Sequence, residues 1–100
     1  MRGTISSERI AGKEARAVYR IELETRARRE YRDLPARIRG QVADAIDDLQ
    51  ADPHPPGSKK LVGATGYRIR TGDYRILYTI EDSASLVRIY RIGHRREVYR

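Results

Sequence analysis

The chain contains no cysteine, tryptophan or phenylalanine, and it has only one methionine and two histidines. Without cysteine it can form no disulfide and no thiolate metal site, and the two histidines, His54 and His94, lie far apart in sequence. It also lacks the long apolar run that a membrane-spanning helix or a signal peptide needs. We therefore expect a cytoplasmic protein that uses no metal or other cofactor.

The length and the supply of apolar residues favour one small domain. The 100 residues are 39% hydrophobic, which is enough for one modest core but not for two. Aliphatic residues and the seven tyrosines must fill this core, and buried tyrosine hydroxyls need hydrogen-bond partners. Residues 1–16 show no regular apolar period. We predict a loose N-terminal extension there and one folded domain over residues 17–100.

The charge of the chain is strongly positive, with a formal net charge of +7 and a pI of about 10.1. Residues 51–100 hold ten Lys and Arg residues against five Asp and Glu residues, so this half carries +5 of the total. Guanidinium groups stay charged at physiological pH and donate paired hydrogen bonds to phosphate oxygens. Nucleic acid is therefore the first expected partner. An ordinary solvated surface rich in arginine explains the composition equally well.

The first half of the folded part predicts one strand and two helices. Apolar and charged residues alternate over about 17–24, as in a half-buried strand. Thr25 is expected to cap a short helix that ends near Leu34, and Pro35 to open a second helix. The proline-rich segment 52–57 cannot continue this helix and should form a loop. The apolar residues of the second helix recur at helical spacing: Ile38, Val42, Ala45, Ile46 and Leu49.

After that loop, apolar residues alternate with polar ones, as in strands. Two such segments, 67–71 and 74–80, are joined by the turn residues Gly72-Asp73 and should form a hairpin. A third strand is expected over 86–92 and should end at Gly93. The predicted order is β-α-α-β-β-β. We expect an α+β fold in which a helix hairpin packs on one face of a small antiparallel sheet, while the other face is free for polar function.

Arginines cluster on the predicted β-hairpin. Arg68 and Arg70 are two residues apart on one strand, so their side chains should project from the same face. Arg75 belongs to the paired strand and joins them if the register allows. Three cations held together cost energy unless an anion neutralises them, which favours a phosphate-binding function. The simpler alternative, arginines that only solvate the outer face of a sheet, has about equal weight at this point.

Three motifs follow one another along the second half of the chain. They are Leu61-x-Gly63 before the hairpin, Tyr74-Arg75-Ile76-x-Tyr78 in its second strand, and Gly93-His94-Arg95-x-x-x-Tyr99 after the last strand. Together they resemble the RelE/ParE toxins over about residues 17–100. The resemblance implies a RelE-like fold and a toxin of a type II toxin–antitoxin system. Within the RelE branch it implies an mRNA interferase, a ribosome-dependent endoribonuclease that cleaves mRNA in the A site and inhibits translation.

The reaction that the resemblance implies is metal-independent attack of a ribose 2′-hydroxyl on the adjacent phosphate. Its catalytic positions correspond here to Arg68, Arg70, Arg75, Arg95 and Tyr99. Arginines would stabilise negative charge on the phosphate, and they would lower the pKa of Tyr99, the implied base. Some members carry lysine where Arg68 and Arg70 stand, and arginine scarcely loses a proton, so the general acid stays open between Arg95 and His94. We expect further RNA contacts from Lys59, Lys60, His94 and Arg96.

Two other functions remain open on the sequence. The ParE branch shares the fold but inhibits DNA gyrase without nuclease activity, and a non-catalytic RNA-binding protein would use the same basic face. The expected partners of the favoured alternative are a cognate antitoxin, the ribosome and mRNA, with no membrane partner. An antitoxin segment that is acidic and partly disordered alone would bind the basic sheet and form a toxin–antitoxin hetero-oligomer.

Overall fold

The computed structural model describes residues 18–94, which form a five-stranded sheet and two α-helices. The elements, in chain order, are β1 (Arg20–Leu23), α1 (Thr25–Arg32), α2 (Ala36–Ala51), β2 (Lys59–Lys60), β3 (Tyr67–Thr71), β4 (Tyr74–Glu81) and β5 (Leu86–His94). A short 3₁₀ turn, Asp82–Ala84, links β4 to β5. The predicted α+β order is confirmed. The two-residue strand β2 is an addition that the sequence pattern did not indicate.

The strands lie in the order β1-β5-β4-β3-β2. All neighbouring pairs are antiparallel except β1 and β5, which run parallel with Ile21 opposite Val87. A parallel pair needs a long connection between its strands, and here the two helices and the β-hairpin supply it. The mostly antiparallel sheet agrees with the prediction, and the parallel pair at one edge departs from it.

The hydrophobic core lies between the helices and one face of the sheet, which we call the helix face. Val42, Ile46 and Leu49 of α2 point into this core at the predicted helical spacing, together with Ala27 of α1. Each large side chain that is fully buried contributes about 1.5–3 kcal/mol. The sheet supplies a core row from each of its three central strands: Ile69, Ile76, Tyr78, Val87, Ile89 and Ile92.

The pairing of β4 with β5 contains a β-bulge. Tyr78 lies opposite Ile89, but its neighbour Leu77 lies opposite Arg91, so Tyr90 is an extra residue on β5. Two residues of the bulged strand then share one side of the sheet. This is why Ile89 and Ile92, three positions apart, both reach the core, while the two residues between them face the other side.

Three local predictions are wrong in detail. Thr25 does not cap α1 but is its first residue, and Glu24 occupies the N-cap position without a side-chain hydrogen bond. Pro35 precedes α2, which begins at Ala36. Gly93 does not end β5: it pairs with Arg75 inside the strand, because a glycine can occupy a ladder position when its backbone partners are present.

The carboxylate of Glu30 joins α1 to the free edge of β5. Since β1 ends at Leu23, the edge of β5 beyond Ile89 has no strand partner in the described part of the chain. Glu30 accepts a hydrogen bond from the backbone N–H of Ile92 at 2.8 Å and another from Nε of Arg91 at 3.1 Å. One side chain therefore satisfies an edge amide and neutralises a largely buried guanidinium.

Tyr78 anchors the proline-rich loop to the sheet. Its ring is fully buried, and its hydroxyl donates a hydrogen bond of 2.8 Å to the carbonyl oxygen of Pro53. Burial raises the pKa of Tyr78 to about 12, because the buried site disfavours the phenolate. The loop at residues 52–57 is thus tied to the centre of the core by one hydrogen bond.

Replacing Tyr78 with phenylalanine should lower the free energy of unfolding by about 1–2 kcal/mol, because the carbonyl of Pro53 would remain buried without its donor. Urea denaturation monitored by circular dichroism measures this loss. Tyr19→Phe is the matched control: it removes an exposed hydrogen bond to Asp82 and should cost about 0.5 kcal/mol or less. Equal losses in the two variants would contradict the anchoring role of Tyr78.

The raised pKa of Tyr78 also predicts a pH dependence. Below about pH 10 the tyrosine is protonated in the folded and the unfolded states, and it contributes fully to stability. As the pH rises from 10 towards 12, the unfolded state loses this proton first, so the stability of the folded state falls. Unfolding free energies measured across this range should therefore decrease more steeply for the wild type than for Tyr78→Phe. Parallel curves would contradict the assignment.

Candidate nucleic-acid interface

The second face of the sheet carries most of the candidate site residues. We call it the open face, because neither α1 nor α2 packs on it. Its side chains belong to the strand residues that alternate with the core residues. The bulge adds to them two consecutive residues of β5, Tyr90 and Arg91. From β3 to β5, the side chains of the open face are those of Arg68, Arg70, Arg75, Leu77, Thr79, Glu81, Leu86, Arg88, Tyr90 and Arg91.

The β3–β4 hairpin brings the predicted arginines together. Gly72, with φ +62°, is the first residue of a two-residue turn that fixes the register, and an L side chain there would be strained. In this register Arg70 lies directly opposite Arg75. Such cross-strand neighbours have Cβ atoms about 4.5–5.5 Å apart, and like charges placed so are destabilising. The convergence that the sequence left conditional is therefore present, and a bound anion would relieve its cost.

Arg68 lies one step along β3 from this pair and extends the cluster towards the sheet edge. It is opposite Leu77 on one side and Lys59 of β2 on the other. Lys59, Arg68 and Arg70 form no ion pair with any acidic side chain in residues 18–94. These three cations are consequently available for an external anion.

The arginines on the other half of the open face are neutralised by carboxylates. Arg88 is 3.5 Å from Glu22 of β1, and Arg91 is 3.1 Å from Glu30 of α1. Arg20 also lies near Glu22, at 3.9 Å. At β1–β5 each of these arginines therefore has a carboxylate within 4 Å, whereas Lys59, Arg68 and Arg70 at β2–β3 have none among residues 18–94. An anionic ligand is attracted to the β2–β3 half.

A surface groove of about 300 Å³ lies at this positive edge. It exists because β2 pairs with only two residues of β3, which leaves the edge of β3 open beyond Arg68. Cations and apolar groups alternate along its wall, which suits a sugar–phosphate backbone. Its lining residues are Pro56, Gly57, Lys59, Arg68, Ile69 and Arg70.

Two predicted RNA-binding residues lie away from the open face. Lys60 pairs with Tyr67, one position along the strands from the open-face pair of Lys59 and Arg68. The side chain of Lys60 is therefore on the helix face. His94 is opposite Tyr74, with the two rings edge-to-face at 5.7 Å, in a second groove that Glu30 also lines. The structure does not bring either residue to the arginine cluster. Arg95, Arg96 and Tyr99 lie outside the described residues, and their assignments remain predictions.

The sequence-based prediction missed one aromatic residue of the open face. Tyr90 is partly exposed, and its hydroxyl donates a hydrogen bond of 2.6 Å to the carbonyl oxygen of Thr65 in the loop between β2 and β3. A signal for it existed: two isoleucines three positions apart, Ile89 and Ile92, break the alternation of a strand. This spacing indicates a bulge and an additional side chain on the opposite face.

Within residues 18–94, no group of three or more histidine, aspartate and glutamate side chains could hold a metal ion. None of the helices in this range has both the length and the apolarity required to cross a membrane.

The comparison with known families identifies the class of protein to which this fold belongs. The family model described as ParE toxin of type II toxin–antitoxin system, parDE, matches residues 14–99, and the chain belongs to this family. It is therefore a toxin of a type II toxin–antitoxin system. The predicted resemblance to the RelE/ParE toxins is confirmed.

Individual relatives lie on the RelE side of this superfamily. Toxin RelG of Mycobacterium tuberculosis is 37% identical over 86 residues, which cover 82% of this chain and 97% of RelG. The toxin–antitoxin complex RelBE2 of M. tuberculosis contains a chain with 36% identity and a TM-score of 0.71, covering 81% of this chain and 95% of that one. The isolated RelE toxin of E. coli matches with 25% identity and a TM-score of 0.67, over 78% of this chain and 84% of RelE.

The unequal charge balance of the open face predicts unequal effects of arginine substitutions on nucleic-acid binding. Arg68→Ala should weaken binding to a single-stranded oligonucleotide and reduce the slope of log K against log salt concentration by about 0.7, the share of one phosphate contact. Arg20→Ala, which removes an ion-paired arginine at the other end of the sheet, is the control and should leave the slope unchanged. Fluorescence anisotropy titrations at several salt concentrations test this. Identical slopes for the two variants would contradict the proposed interface.

Proposed function

We propose that this toxin is a ribosome-dependent endoribonuclease that cleaves mRNA in the A site. The observation that carries the proposal is the position of Arg70 directly opposite Arg75, beside Arg68 and Lys59, on one half of the open face. Such a cluster is suited to a phosphate group that gains negative charge during a reaction. The identity to RelG and to the toxin chain of RelBE2 supports the same branch of the family.

The proposed reaction needs only the RNA and protein side chains. The ribose 2′-oxygen forms a bond to the adjacent phosphorus, and the bond from phosphorus to the 5′-oxygen of the next nucleotide breaks. A base takes the proton of the 2′-hydroxyl, and an acid gives a proton to the leaving 5′-oxygen, so the products are a cyclic phosphate end and a 5′-hydroxyl end. Fixed guanidinium donors such as Arg70 and Arg75 stabilise the charge on the non-bridging oxygens.

The proton transfers are assigned to the C-terminal segment. Tyr99 is the proposed base, and arginines near it would lower the pKa of its phenol. Arg68 and Arg70 hold their protons too strongly to act as acids. The location of His94, against Tyr74 on the helix face, speaks against its donating a proton to a phosphate bound at Arg70. Arg95 is the other candidate from the sequence, but as an arginine it meets the same objection, so no acid is assigned among these residues.

We also propose a cognate antitoxin as the partner that holds the toxin inactive. RelBE2 is a toxin–antitoxin complex, and a basic surface such as that of Lys59, Arg68 and Arg70 attracts an acidic, partly disordered segment. The expected assembly is a hetero-oligomer of toxin and antitoxin. The ribosome and mRNA are the proposed targets after release, which places the activity in the cytoplasm.

A second candidate function has one specific observation in its favour. The matching family model is described as a ParE toxin. The ParE branch inhibits DNA gyrase. This alternative uses the open face as a binding surface and requires no cleavage chemistry. It leaves the opposed pair of Arg70 and Arg75 without a chemical role, which is why the nuclease is preferred.

Mapping of mRNA 3′ ends in a purified translation system tests the proposed function. The wild-type toxin should cut translated mRNA within the A-site codon, while free RNA should be a poor substrate. Arg75→Ala should slow single-turnover cleavage by about 100-fold, the loss expected for one transition-state donor, and Tyr99→Phe by at least as much. Arg32→Ala, on the exposed side of α1, is the control and should cleave at the wild-type rate.

The same preparations should be tested for inhibition of gyrase supercoiling. Uncut mRNA together with loss of supercoiling would contradict the nuclease and favour the ParE-like function. Circular dichroism and urea midpoints of each variant must match those of the wild type, so that a loss of cleavage reports chemistry and not unfolding. Expression in bacteria should arrest growth, and the two site variants should relieve that arrest.

A further inference from the structure

Tyr90 occupies a position on the open face that the assigned arginines do not explain. The bulge places it beside Arg91, whose partner on β4 is Leu77, and Leu77 in turn lies opposite Arg68 of β3. Tyr90 is partly exposed and is not among the aromatic side chains that pack on the core beneath the helices. An aromatic ring therefore lies on the same face as the unneutralised cations.

The ring of Tyr90 is held at both ends. Its backbone is fixed in the central strand β5, and its hydroxyl donates to the carbonyl oxygen of Thr65 at 2.6 Å. That carbonyl is itself positioned by Gly66, where an added Cβ would collide with the carbonyl oxygen of Tyr78 and where φ is +96°. The tight approach of this loop to β4 fixes the acceptor, and the acceptor fixes the direction of the phenol.

The distance from Tyr90 to the phosphate-binding cations suits a nucleotide. Strands in a sheet are about 4.8 Å apart, so side chains on β5 and β3 in one row are separated by about 10 Å. In that row Leu77 is paired with Arg91, the neighbour of Tyr90, on one side and with Arg68 on the other, and Lys59 lies beyond Arg68. The hydroxyl of Tyr90 reaches Thr65, just before β3. Leu77 between them is already buried. A nucleotide with its phosphate at Arg68 and Arg70 would place a neighbouring base over this part of the face, within reach of the tyrosine ring.

We propose that Tyr90 is a stacking platform for a nucleobase of the bound mRNA, next to the phosphate held by Arg68 and Arg70. Single-stranded RNA is commonly bound by stacking of its bases on aromatic side chains beside a cationic track. This inference rests on the proposed function and adds a substrate-positioning residue to it. Stacking on a side chain that is already immobilised needs little further ordering when RNA binds.

A double substitution in protein and RNA tests the stacking. Single-turnover cleavage is measured on ribosome-bound mRNA with an abasic nucleotide at each position of the A-site codon, for the wild type, Tyr90→Phe and Tyr90→Leu. At one codon position, the abasic nucleotide should slow the wild type and Tyr90→Phe by about tenfold. Tyr90→Leu should already be slower by a similar factor, and the same abasic nucleotide should slow it no further.

The proposal would be overturned if the abasic nucleotide and the Tyr90→Leu substitution slowed cleavage independently of each other. If the abasic nucleotide slows Tyr90→Leu as much as it slows the wild type at every codon position, no base depends on the ring. Tyr19→Leu is the matched control, since Tyr19 also makes one hydroxyl hydrogen bond but lies away from the open face, and it should retain the full abasic effect. Urea midpoints establish that each variant is folded.

A fluorescence measurement separates this proposal from the proposed function. A single-stranded oligonucleotide with 2′-deoxyribose throughout cannot be cut by 2′-hydroxyl attack, and a 2-aminopurine base within it loses fluorescence when it stacks on an aromatic ring. Wild-type toxin and Tyr90→Phe should quench this base at one position, and Tyr90→Leu should not. Failure of the wild type to cut mRNA would contradict the proposed nuclease activity. Equal quenching by the wild type and Tyr90→Leu would contradict only the stacking role of Tyr90.

Discussion

The pairing of β4 with β5, including its bulge, is the constraint on which the rest of this structure depends. Because Tyr90 is an extra residue in β5, Ile89 and Ile92 can both enter the core while Tyr90 and Arg91 both project from the other face. Without the extra residue, one of the two isoleucines would be turned towards solvent. Core packing and the composition of the open face are therefore set by the same local feature.

The two halves of the open face differ in whether their arginines lie beside carboxylates. At the β1–β5 side, Glu22 pairs with Arg88 and Glu30 with Arg91, and these pairs connect β1 and α1 to β5. At the β2–β3 side, the hairpin register holds Arg70 opposite Arg75, which places like charges side by side. Functional sites commonly retain such locally unfavourable arrangements, which the surrounding fold supports. The register of one hairpin determines where the unfavourable pair lies.

The sequence predicted the elements with regular periods and missed those that depend on distant partners. The spacing of Val42, Ile46 and Leu49 identified α2, and the Gly72-Asp73 turn identified the hairpin. Strand β2 was missed because two residues have no period. The parallel pairing of β1 with β5, and the contact of Glu30 with Arg91, join segments more than 60 residues apart, and no local pattern specifies them. The candidate site followed the same rule: Arg68, Arg70 and Arg75 were predictable from alternation, and the positions of Lys60 and His94 on the other face were not.

Cleavage of ribosome-bound mRNA by Arg70→Ala and by Arg88→Ala tests most directly whether the unneutralised half of the open face performs the chemistry. Both substitutions remove one arginine from the same sheet face, but only Arg88 has a carboxylate partner within the described residues, at 3.5 Å. The account predicts that Arg70→Ala slows single-turnover cleavage by about 100-fold while Arg88→Ala changes it by less than about threefold. Equal losses, or a greater loss for Arg88→Ala, would contradict it.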